Sequence, residues 1–253
     1  MVAPIGIFDS GMGGISVWQA LHDALPEESL IYLGDGARCP YGARSLDEVR
    51  DFTFEAVERL LAEGCKMIVL ACNTATAVAI KELRECYPNI PFVGLEPAVK
   101  PAALTTKSGV IGVLATKRSL EGDHFRRAED KYGAEVRILK AVGEGFVEAV
   151  ENNEEQSPET ETLVRRVVEP LVEQGVDKLV LGCTHYPFLR SVIERVAGDG
   201  VESIDSSEAV ARRVANLLDE HGIRAEAGVA EYRFLTFADE AYAAKLRDKA
   251  FKK

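Results

Sequence analysis

The chain has 253 residues, of which 47% are hydrophobic and 28% are charged, and its formal net charge is −11. This composition is typical of a globular protein, and the length allows one large domain or two of roughly 100–150 residues. An acidic surface repels phosphate groups, so the charge argues against nucleic acid as a partner and weakly against anionic membranes. No apolar run approaches the ~20 residues that span a bilayer, and the first residues lack a signal-peptide pattern. We therefore expect a cytoplasmic protein that does not associate with membranes.

Eight short apolar runs are the strand candidates, and they lack the polar alternation of a half-exposed strand. Such runs predict strands buried on both faces, as in parallel sheets covered by helices. The candidates are Ile5–Phe8, Leu30–Leu33, Met67–Ala71, Phe92–Leu95, Val110–Leu114, Val136–Leu139, Lys178–Gly182 and Val201–Ile204.

Helical patterns alternate with these runs. Ser45 and Glu48 form a capping box at the start of one helix, which Gly64 should end. Two further helices are predicted, and Pro170 should kink or interrupt the first of them. They run from Ser157 to Gly175 and from about Ser206 to His221. This alternation predicts an α/β fold with a mainly parallel sheet.

The two halves of the chain resemble each other at two strand ends. Residues 66–74 read Lys-Met-Ile-Val-Leu-Ala-Cys-Asn-Thr, and residues 178–185 read Lys-Leu-Val-Leu-Gly-Cys-Thr-His. A similar offset relates the segment 5–10 to the segment 110–116. These offsets predict a duplicated α/β unit rather than a short repeat. Two such lobes would form a cleft between the carboxyl ends of their strands, where ligands usually bind in open α/β sheets.

The repeated motif makes Cys72 and Cys183 the candidate reactive residues. Each follows a predicted strand and precedes a polar turn that should open a helix, and a helix start stabilises an anion such as a thiolate. A lone cysteine after a strand is usually an inert core residue, but equivalent cysteines in two related halves are typical of a catalytic pair. Cys39, Cys65 and Cys86 have no symmetric partner and are interpreted as inert. The cysteine spacing indicates neither a disulfide framework nor a metal site.

Two thiols suit a reaction that moves a proton from one face of a carbon to the other. Such a reaction needs a base on one face and an acid on the opposite face, with the roles exchanged in the reverse direction. A free thiol has a pKa near ~8.5, so both protonation states are accessible near neutral pH. A Cys–His hydrolase built on Cys183 and His185 is an alternative, but it would leave Cys72 and the repeat unexplained.

Two loops after the first and second strands have residues suited to a site. The segment Asp9–Gly14 is rich in glycine but lacks the spacing of a dinucleotide or phosphate loop. Asp9 could hold a substrate ammonium or tune a base, or it could simply cap a turn, and Ser10 could donate to a thiolate. In the second loop, Asp35 and Arg38 could line the site or form a surface ion pair.

Four motifs, in this order along the chain, carry a family resemblance. They are Asp9-Ser-Gly-Met-Gly-Gly14, Pro40-Tyr-Gly42, Ala71-Cys-Asn-Thr-Ala75 and Gly182-Cys-Thr-His-Tyr-Pro187. With these motifs the chain resembles the glutamate racemases of the aspartate/glutamate racemase superfamily. The resemblance implies an α/β fold of two pseudo-symmetric domains, each a mainly parallel sheet flanked by helices, with the active site in the interdomain cleft. The implied domains are residues 1–97 with 207–253, and residues 98–206.

The resemblance also implies an activity and a set of site residues. The activity is interconversion of L- and D-glutamate without pyridoxal phosphate or any other cofactor, supplying D-glutamate for peptidoglycan, in a homodimeric enzyme. Cys72 and Cys183 match the two catalytic thiols, of which the first usually serves the D-enantiomer and the second the L-enantiomer. Asp9 and His185 match auxiliary acid–base residues. The positions that match substrate-holding residues are Asp9, Ser10, Tyr41, Gly42, Asn73, Thr74, Thr116, Thr184 and His185.

Two details of the resemblance are ambiguous in the second half. The family has an auxiliary glutamate before a helix, and Glu151 fits that place, although Glu148 is close enough to compete. After Thr116 a second threonine is expected, and Ser119 is the nearest hydroxyl residue. The alternatives to the glutamate activity are an aspartate racemase with the same mechanism and a non-catalytic, two-lobed protein that binds a small molecule.

Overall fold

The structure is a computed structural model that describes residues 3–226 and 228–252. The chain forms two compact units: the first combines the segment up to Leu95 with the segment from Ser207 onwards, and the second is Glu96–Ser206. Within the described ranges, no helix is both long enough and apolar enough to cross a membrane.

Strands and helices alternate through both units. The strands are β1 (Ile5–Asp9), β2 (Leu30–Gly34), β3 (Met67–Leu70), β4 (Phe92–Gly94), β5 (Val110–Ala115), β6 (Arg137–Val142), β7 (Lys178–Leu181), β8 (Glu202–Ile204) and β9 (Tyr232–Thr236). The helices are α1 (Ile15–Ala24), α2 (Leu46–Ala62), α3 (Asn73–Cys86), α4 (Val99–Thr105), α5 (Lys117–Glu121), α6 (Asp123–Tyr132), α7 (Phe146–Glu151), α8 (Pro158–Val172), α9 (Arg190–Ala197), α10 (Ser207–Glu220) and α11 (Glu240–Phe251). The segments Tyr41–Ala43 and Tyr186–Leu189 are 3₁₀ turns.

The two units share one sheet topology. The first sheet has the order β4-β3-β1-β2-β9 and the second has the order β6-β5-β7-β8, with every pair parallel. Counting strands along each unit, both sheets therefore have the same spatial order: second, first, third, fourth. Strand β9 is an addition at the edge of the first sheet. The common order confirms the duplicated α/β unit that the sequence predicts.

All eight predicted strands are present, with ends that differ from the prediction by a few residues. The expectation that they are buried on both faces holds for β1, β2, β3 and β7, but it is wrong for β6. That strand lies at the edge of the second sheet, and each of its residues is exposed or half-buried. Lys140 of β6 points towards α6 and pairs with Glu129 at 2.7 Å.

Helix α2 begins at the predicted capping box. The Ser45 hydroxyl accepts the N–H of Glu48 at 3.3 Å, and the Glu48 carboxylate accepts the N–H of Ser45 at 3.0 Å. These two bonds satisfy donors that a helix start leaves unpaired. The helix buries Val49, Ala56, Val57 and Leu60 and packs against α3 and the sheet.

Of the two predicted effects of Pro170, a kink or an interruption of its helix, the interruption is wrong. Helix α8 begins after its Ser157 cap and continues through Pro170 to Val172. A proline removes the hydrogen bond to the carbonyl four residues earlier, which here is that of Arg166. Arg166 and Pro170 are both exposed, so the unpaired carbonyl lies between two residues that water reaches. The lost bond therefore costs little in the last turn.

Candidate active site

Cys72 lies at the carboxyl edge of the first sheet. It follows β3 by two residues and is the N-cap of α3, where its sulfur accepts the N–H of Ala75 at 3.5 Å. The N–H groups and the dipole of this 14-residue helix favour a negative charge on the thiol. The predicted helix start after this cysteine is confirmed.

The residues at the end of β1 include Asp9 and Ser10, and the Ser10 side chain lies beside this thiol. The Cys72 thiol donates to the Ser10 hydroxyl at 3.5 Å. Asp9 is fully buried, and one carboxylate oxygen accepts a backbone N–H two residues further on at 2.9 Å, so the carboxylate also closes the turn considered from the sequence. The N–H of Ala71 donates to the carbonyl of Phe8 at 2.7 Å, which holds the ends of β1 and β3 side by side.

The first turn of α3 carries two further predicted residues, Asn73 and Thr74, and both are buried. The amide oxygen of Asn73 has no hydrogen-bond partner among the described residues. A buried amide oxygen without a partner is costly, and such a group accepts a donor from a ligand readily. We name Asp9, Ser10, Cys72, Asn73 and Thr74 the Cys72 cluster.

Tyr41 and Gly42 form the first 3₁₀ turn, and the Tyr41 side chain is buried. Its hydroxyl donates to the carboxylate of Asp35 at 2.6 Å, and Nε of Arg38 donates to the same oxygen at 2.6 Å. Burial raises the pKa of Tyr41, and the charge and hydrogen bond of Asp35 raise it further. Asp35 is fully buried, so the interpretation of Asp35 and Arg38 as a surface pair is wrong. A signal for this existed, because Asp35 directly follows β2 as Ser10 directly follows β1.

Cys183 occupies the equivalent position in the second unit. It follows β7 by two residues, and the N–H of Gly182 donates to the carbonyl of Leu114 at 2.7 Å, which repeats the backbone bond between β1 and β3. The expected helix does not begin directly after it. The 3₁₀ turn from Tyr186 comes first, its first N–H donates to the Cys183 carbonyl, and α9 starts only at Arg190.

A histidine and a glutamate replace the helix start as the support of this second thiol. His185 Nδ1 lies 3.8 Å from the Cys183 sulfur, and His185 Nε2 lies 2.7 Å from Oε1 of Glu151, the last residue of α7. His185 is buried, whereas Glu148 is exposed on the same short helix as Glu151. The geometry therefore selects Glu151 over Glu148 as the carboxylate that contacts the histidine.

The remaining predicted residues of the second unit lie on neighbouring strand ends. Thr116 follows β5 and caps α5, where its hydroxyl accepts the N–H of Ser119 at 3.3 Å and lies 2.9 Å from the Ser119 hydroxyl. Thr184 is buried beside Cys183 in the chain. Because β5 and β7 are paired and parallel, their carboxyl ends meet at one edge of the sheet. We name Thr116, Glu151, Cys183, Thr184 and His185 the Cys183 cluster.

The two clusters differ in the groups that can move or stabilise a proton. The first sheet provides a carboxylate, Asp9, at the end of its central strand, where the second sheet has Ala115. The second unit provides a carboxylate through Glu151, which contacts His185, and His185 in turn contacts the thiol. Each unit thus places a carboxylate at the strand ends of its cysteine cluster or next to the histidine there, and the two carboxylates come from different elements of the fold.

These features define a class of protein. It is a duplicated α/β protein with a thiol at the equivalent strand end of each unit, and each thiol contacts a polar side chain, Ser10 or His185. The comparison with protein families agrees with this class. The model described as Asp/Glu/Hydantoin racemase matches residues 12–214, and the chain belongs to this family.

Relatives within the family are similar over nearly the whole chain. A glutamate racemase of Ectopseudomonas mendocina is 46% identical over 237 residues, which cover 94% of this chain and 90% of the relative. A solved glutamate racemase isoform of Bacillus anthracis is 34% identical with a TM-score of 0.86, over 98% of this chain and 93% of the other. The Escherichia coli glutamate racemase, solved with L-glutamate and the activator UDP-MurNAc-ala, is 29% identical with a TM-score of 0.85, over 98% of this chain and 95% of the other.

Proposed function

We propose that this chain is a glutamate racemase that interconverts L- and D-glutamate without a cofactor and supplies D-glutamate for peptidoglycan. The observation that carries the proposal is the equivalence of Cys72 and Cys183 at the ends of β3 and β7, in sheets of the same strand order. The similarity to glutamate racemases over 94% of the chain supports glutamate as the substrate.

The proposed chemistry uses one thiolate and one thiol at a time. For L-glutamate, the Cys183 thiolate takes the α-proton, so that the Cα–H bond breaks and an S–H bond forms. The Cys72 thiol then gives its proton to the opposite face of Cα and becomes the thiolate. D-glutamate is converted by the same steps with the roles of the two cysteines exchanged. After either conversion, the protein differs from its starting state only in which sulfur carries the proton.

The negative charge that develops on the substrate needs stabilisation by fixed hydrogen-bond donors. The hydroxyls of Thr74 and Thr184, the Asn73 amide and the N–H groups at the start of α3 are the candidate donors to the α-carboxylate. The amide oxygen of Asn73, which lacks a partner among the described residues, is a candidate acceptor for the substrate ammonium. Burial of these groups strengthens each interaction, because little water competes for them.

The auxiliary residues are proposed to tune the two thiols separately. Ser10 contacts the Cys72 sulfur, and His185, which Glu151 holds, lies within reach of the Cys183 sulfur to take or return a proton. Catalytic thiols must stay reduced, which favours the cytoplasm as the compartment. We also propose a homodimer, on the family resemblance, and sedimentation of the purified protein tests that part.

The test is circular dichroism of the purified protein with L-glutamate and, in parallel, with L-aspartate, in both cases without pyridoxal phosphate. Loss of the glutamate signal alone is the expected result. Loss of the aspartate signal alone would retain the thiol chemistry and replace glutamate by aspartate. A stable signal with both amino acids would contradict the proposal and favour a small-molecule binding protein.

A further inference from the structure

The Tyr41 hydroxyl is held by a carboxylate that none of the proposed chemical steps uses. Asp35 follows β2 directly, and its side chain is fully buried. The same oxygen of Asp35 accepts from the Tyr41 hydroxyl and from Nε of Arg38, each at 2.6 Å. Asp35 and Tyr41 are therefore joined by a short hydrogen bond to a charged acceptor, which is among the strongest kinds in proteins.

The rest of the network fixes Asp35 in turn. Arg38 lies over the rings of Phe52 and Phe237, at 4.2 and 4.4 Å from their centroids, and it donates to Glu55 on α2 at 2.5 Å. These contacts attach the loop after β2 to α2 and to the segment after β9. Few rotamers of the arginine satisfy all of them, so the network is preorganised rather than adaptable.

Asp35 is also attached to the backbone of the Cys72 cluster. Its N–H donates to the carbonyl of Asp9 at 3.0 Å, which connects the ends of β1 and β2. The other carboxylate oxygen of Asp35 is buried without a hydrogen-bond partner among the described residues. A buried oxygen without a partner lowers stability, so its presence beside the Tyr41 turn calls for a reason, and a functional role is one.

The protonation and the hydrogen bond of the Tyr41 hydroxyl argue against an acid–base role for this tyrosine. Burial, followed by the charge of Asp35, raises the pKa of Tyr41, so its hydroxyl stays protonated throughout the working pH range. A phenol that remains protonated and already donates to a carboxylate is a poor general acid or base. Its ring packs against Phe8 and Phe52, with centroids 6.1 and 5.8 Å away. These contacts suit a tyrosine that holds the backbone of its own turn in place.

We propose that Asp35 is a positioning residue, which fixes the turn of Tyr41 and Gly42 for substrate binding by holding the Tyr41 hydroxyl. The inference rests on the proposed function, in which this turn contributes to the binding of glutamate. Asp35 acts through Tyr41 and touches neither the substrate nor the reacting thiols.

The test compares Asp35→Asn, Tyr41→Phe and the double variant, with Tyr87→Phe as control. Tyr87 also donates to a carboxylate, that of Glu58 at 3.4 Å, but at the far end of α3. A turn that holds the substrate equally in the ground and transition states affects KM rather than kcat. We expect KM for both enantiomers to rise roughly tenfold or more in each single variant, as for loss of a hydrogen bond to a charged group. The kcat values and the pH profile should change little.

The double variant should be no worse than the more affected single variant, because both substitutions act on one hydrogen bond: Tyr41→Phe removes its donor, and Asp35→Asn removes the charge of its acceptor. Amide exchange of the peptide that covers residues 41–43 should accelerate in all three variants and not in Tyr87→Phe. This second readout does not need turnover, so an inactive wild type would contradict the proposed function and leave the positioning role measurable. Unchanged exchange and KM in Tyr41→Phe, which keeps the Asp35–Arg38 pair and should fold, would overturn the inference. Additive effects in the double variant would overturn it as well.

Discussion

Glu151 Oε1 lies 2.7 Å from Nε2 of His185, a residue 34 positions further along the chain. The carboxylate can only accept, so His185 must donate from Nε2, and its Nδ1 then faces the Cys183 sulfur at 3.8 Å. In this tautomer Nδ1 can accept the thiol proton, and it becomes a donor when the imidazole is charged. The Glu151 carboxylate thereby fixes the tautomer of His185, and with it whether Nδ1 can accept a proton from the Cys183 thiol.

Replacement of Glu151 by glutamine should therefore impair turnover without unfolding the protein. The amide can donate to Nε2 and so permits the wrong tautomer, and we expect kcat/KM to fall on the order of 10²-fold. Because enantiomers have equal free energy in water, the loss must be the same for L- and D-glutamate. Polarimetry in both directions measures it. Glu148→Gln is the matched control, and a larger defect in that variant would show that Glu148 is the auxiliary acid.

Single replacement of either proposed catalytic thiol should separate proton exchange from racemisation. Cys183→Ser keeps Cys72, so it should exchange the α-proton of D-glutamate with solvent deuterium, and Cys72→Ser should do so with L-glutamate. Neither variant should racemise, because one face of Cα lacks a thiol. Proton NMR in deuterium oxide, combined with polarimetry, measures the two processes. Cys86→Ser, at an exposed position, is the control. Racemisation at the wild-type rate by either active-site variant would refute the two-thiol mechanism.

Gly14→Ala should damage the site through the backbone of the Cys72 cluster. An added Cβ would lie 2.6 Å from Cβ of Asp9, 2.9 Å from Cβ of Ala71 and 2.9 Å from the Tyr32 hydroxyl. Overpacking of this kind costs about 1–3 kcal/mol. Two of the contacted residues, Asp9 and Ala71, directly precede Ser10 and Cys72, so a shift of their backbone would also displace the site. We expect a lower free energy of unfolding in urea and a larger fractional loss of kcat.

The control for that variant is Gly228→Ala, where the added Cβ would meet, among the described residues beyond its chain neighbours, a single atom at the ordinary contact distance of 3.8 Å. It should leave both the free energy of unfolding and kcat unchanged. Equal effects of the two substitutions on kcat would show that activity does not depend on the lack of a side chain at Gly14.

The buried Cys65 should make stability depend on pH in alkaline solution. Burial, with a smaller contribution from the charge of Glu63, raises the pKa of Cys65 to about 12. In the unfolded chain the thiol titrates near ~8.5. Below that pH both states hold the proton, and above it only the folded state does, so the stabilising contribution of Cys65 falls as the pH rises from ~8.5 towards 12. At pH ~10 the loss should reach about 2 kcal/mol.

Urea denaturation at pH ~8 and ~10 measures this dependence. Cys65→Ala should unfold more easily than the wild type at pH ~8, because it leaves a small cavity. Its free energy of unfolding should change less between the two pH values, so the difference from the wild type should shrink or reverse at pH ~10. Cys86→Ala, at an exposed position, should retain the wild-type dependence. An unaltered dependence in Cys65→Ala would contradict the buried, protonated thiol.

Much of the fold was predictable because its signals are local. Apolar runs identify β1 to β8, and the pairs Ser45 with Glu48 and Ser157 with Pro158 identify the starts of α2 and α8. Strand β9 was missed because Arg233 interrupts its apolar run and most of its residues are half-buried. Such an edge strand owes its place to the pairing with β2, which no local pattern reveals.

The sequence by itself determined the repeat, the two cysteines at equivalent strand ends and the motifs that identify the family. Each of these depends on residue order within one segment, or on the similarity of two segments. The tertiary structure alone decided that Glu151 rather than Glu148 contacts His185, and that Asp35 is a buried partner of Tyr41. Both choices depend on which face a short helix or turn presents to its neighbours. That is fixed by packing against elements distant in the chain, and spacing along the sequence does not encode it.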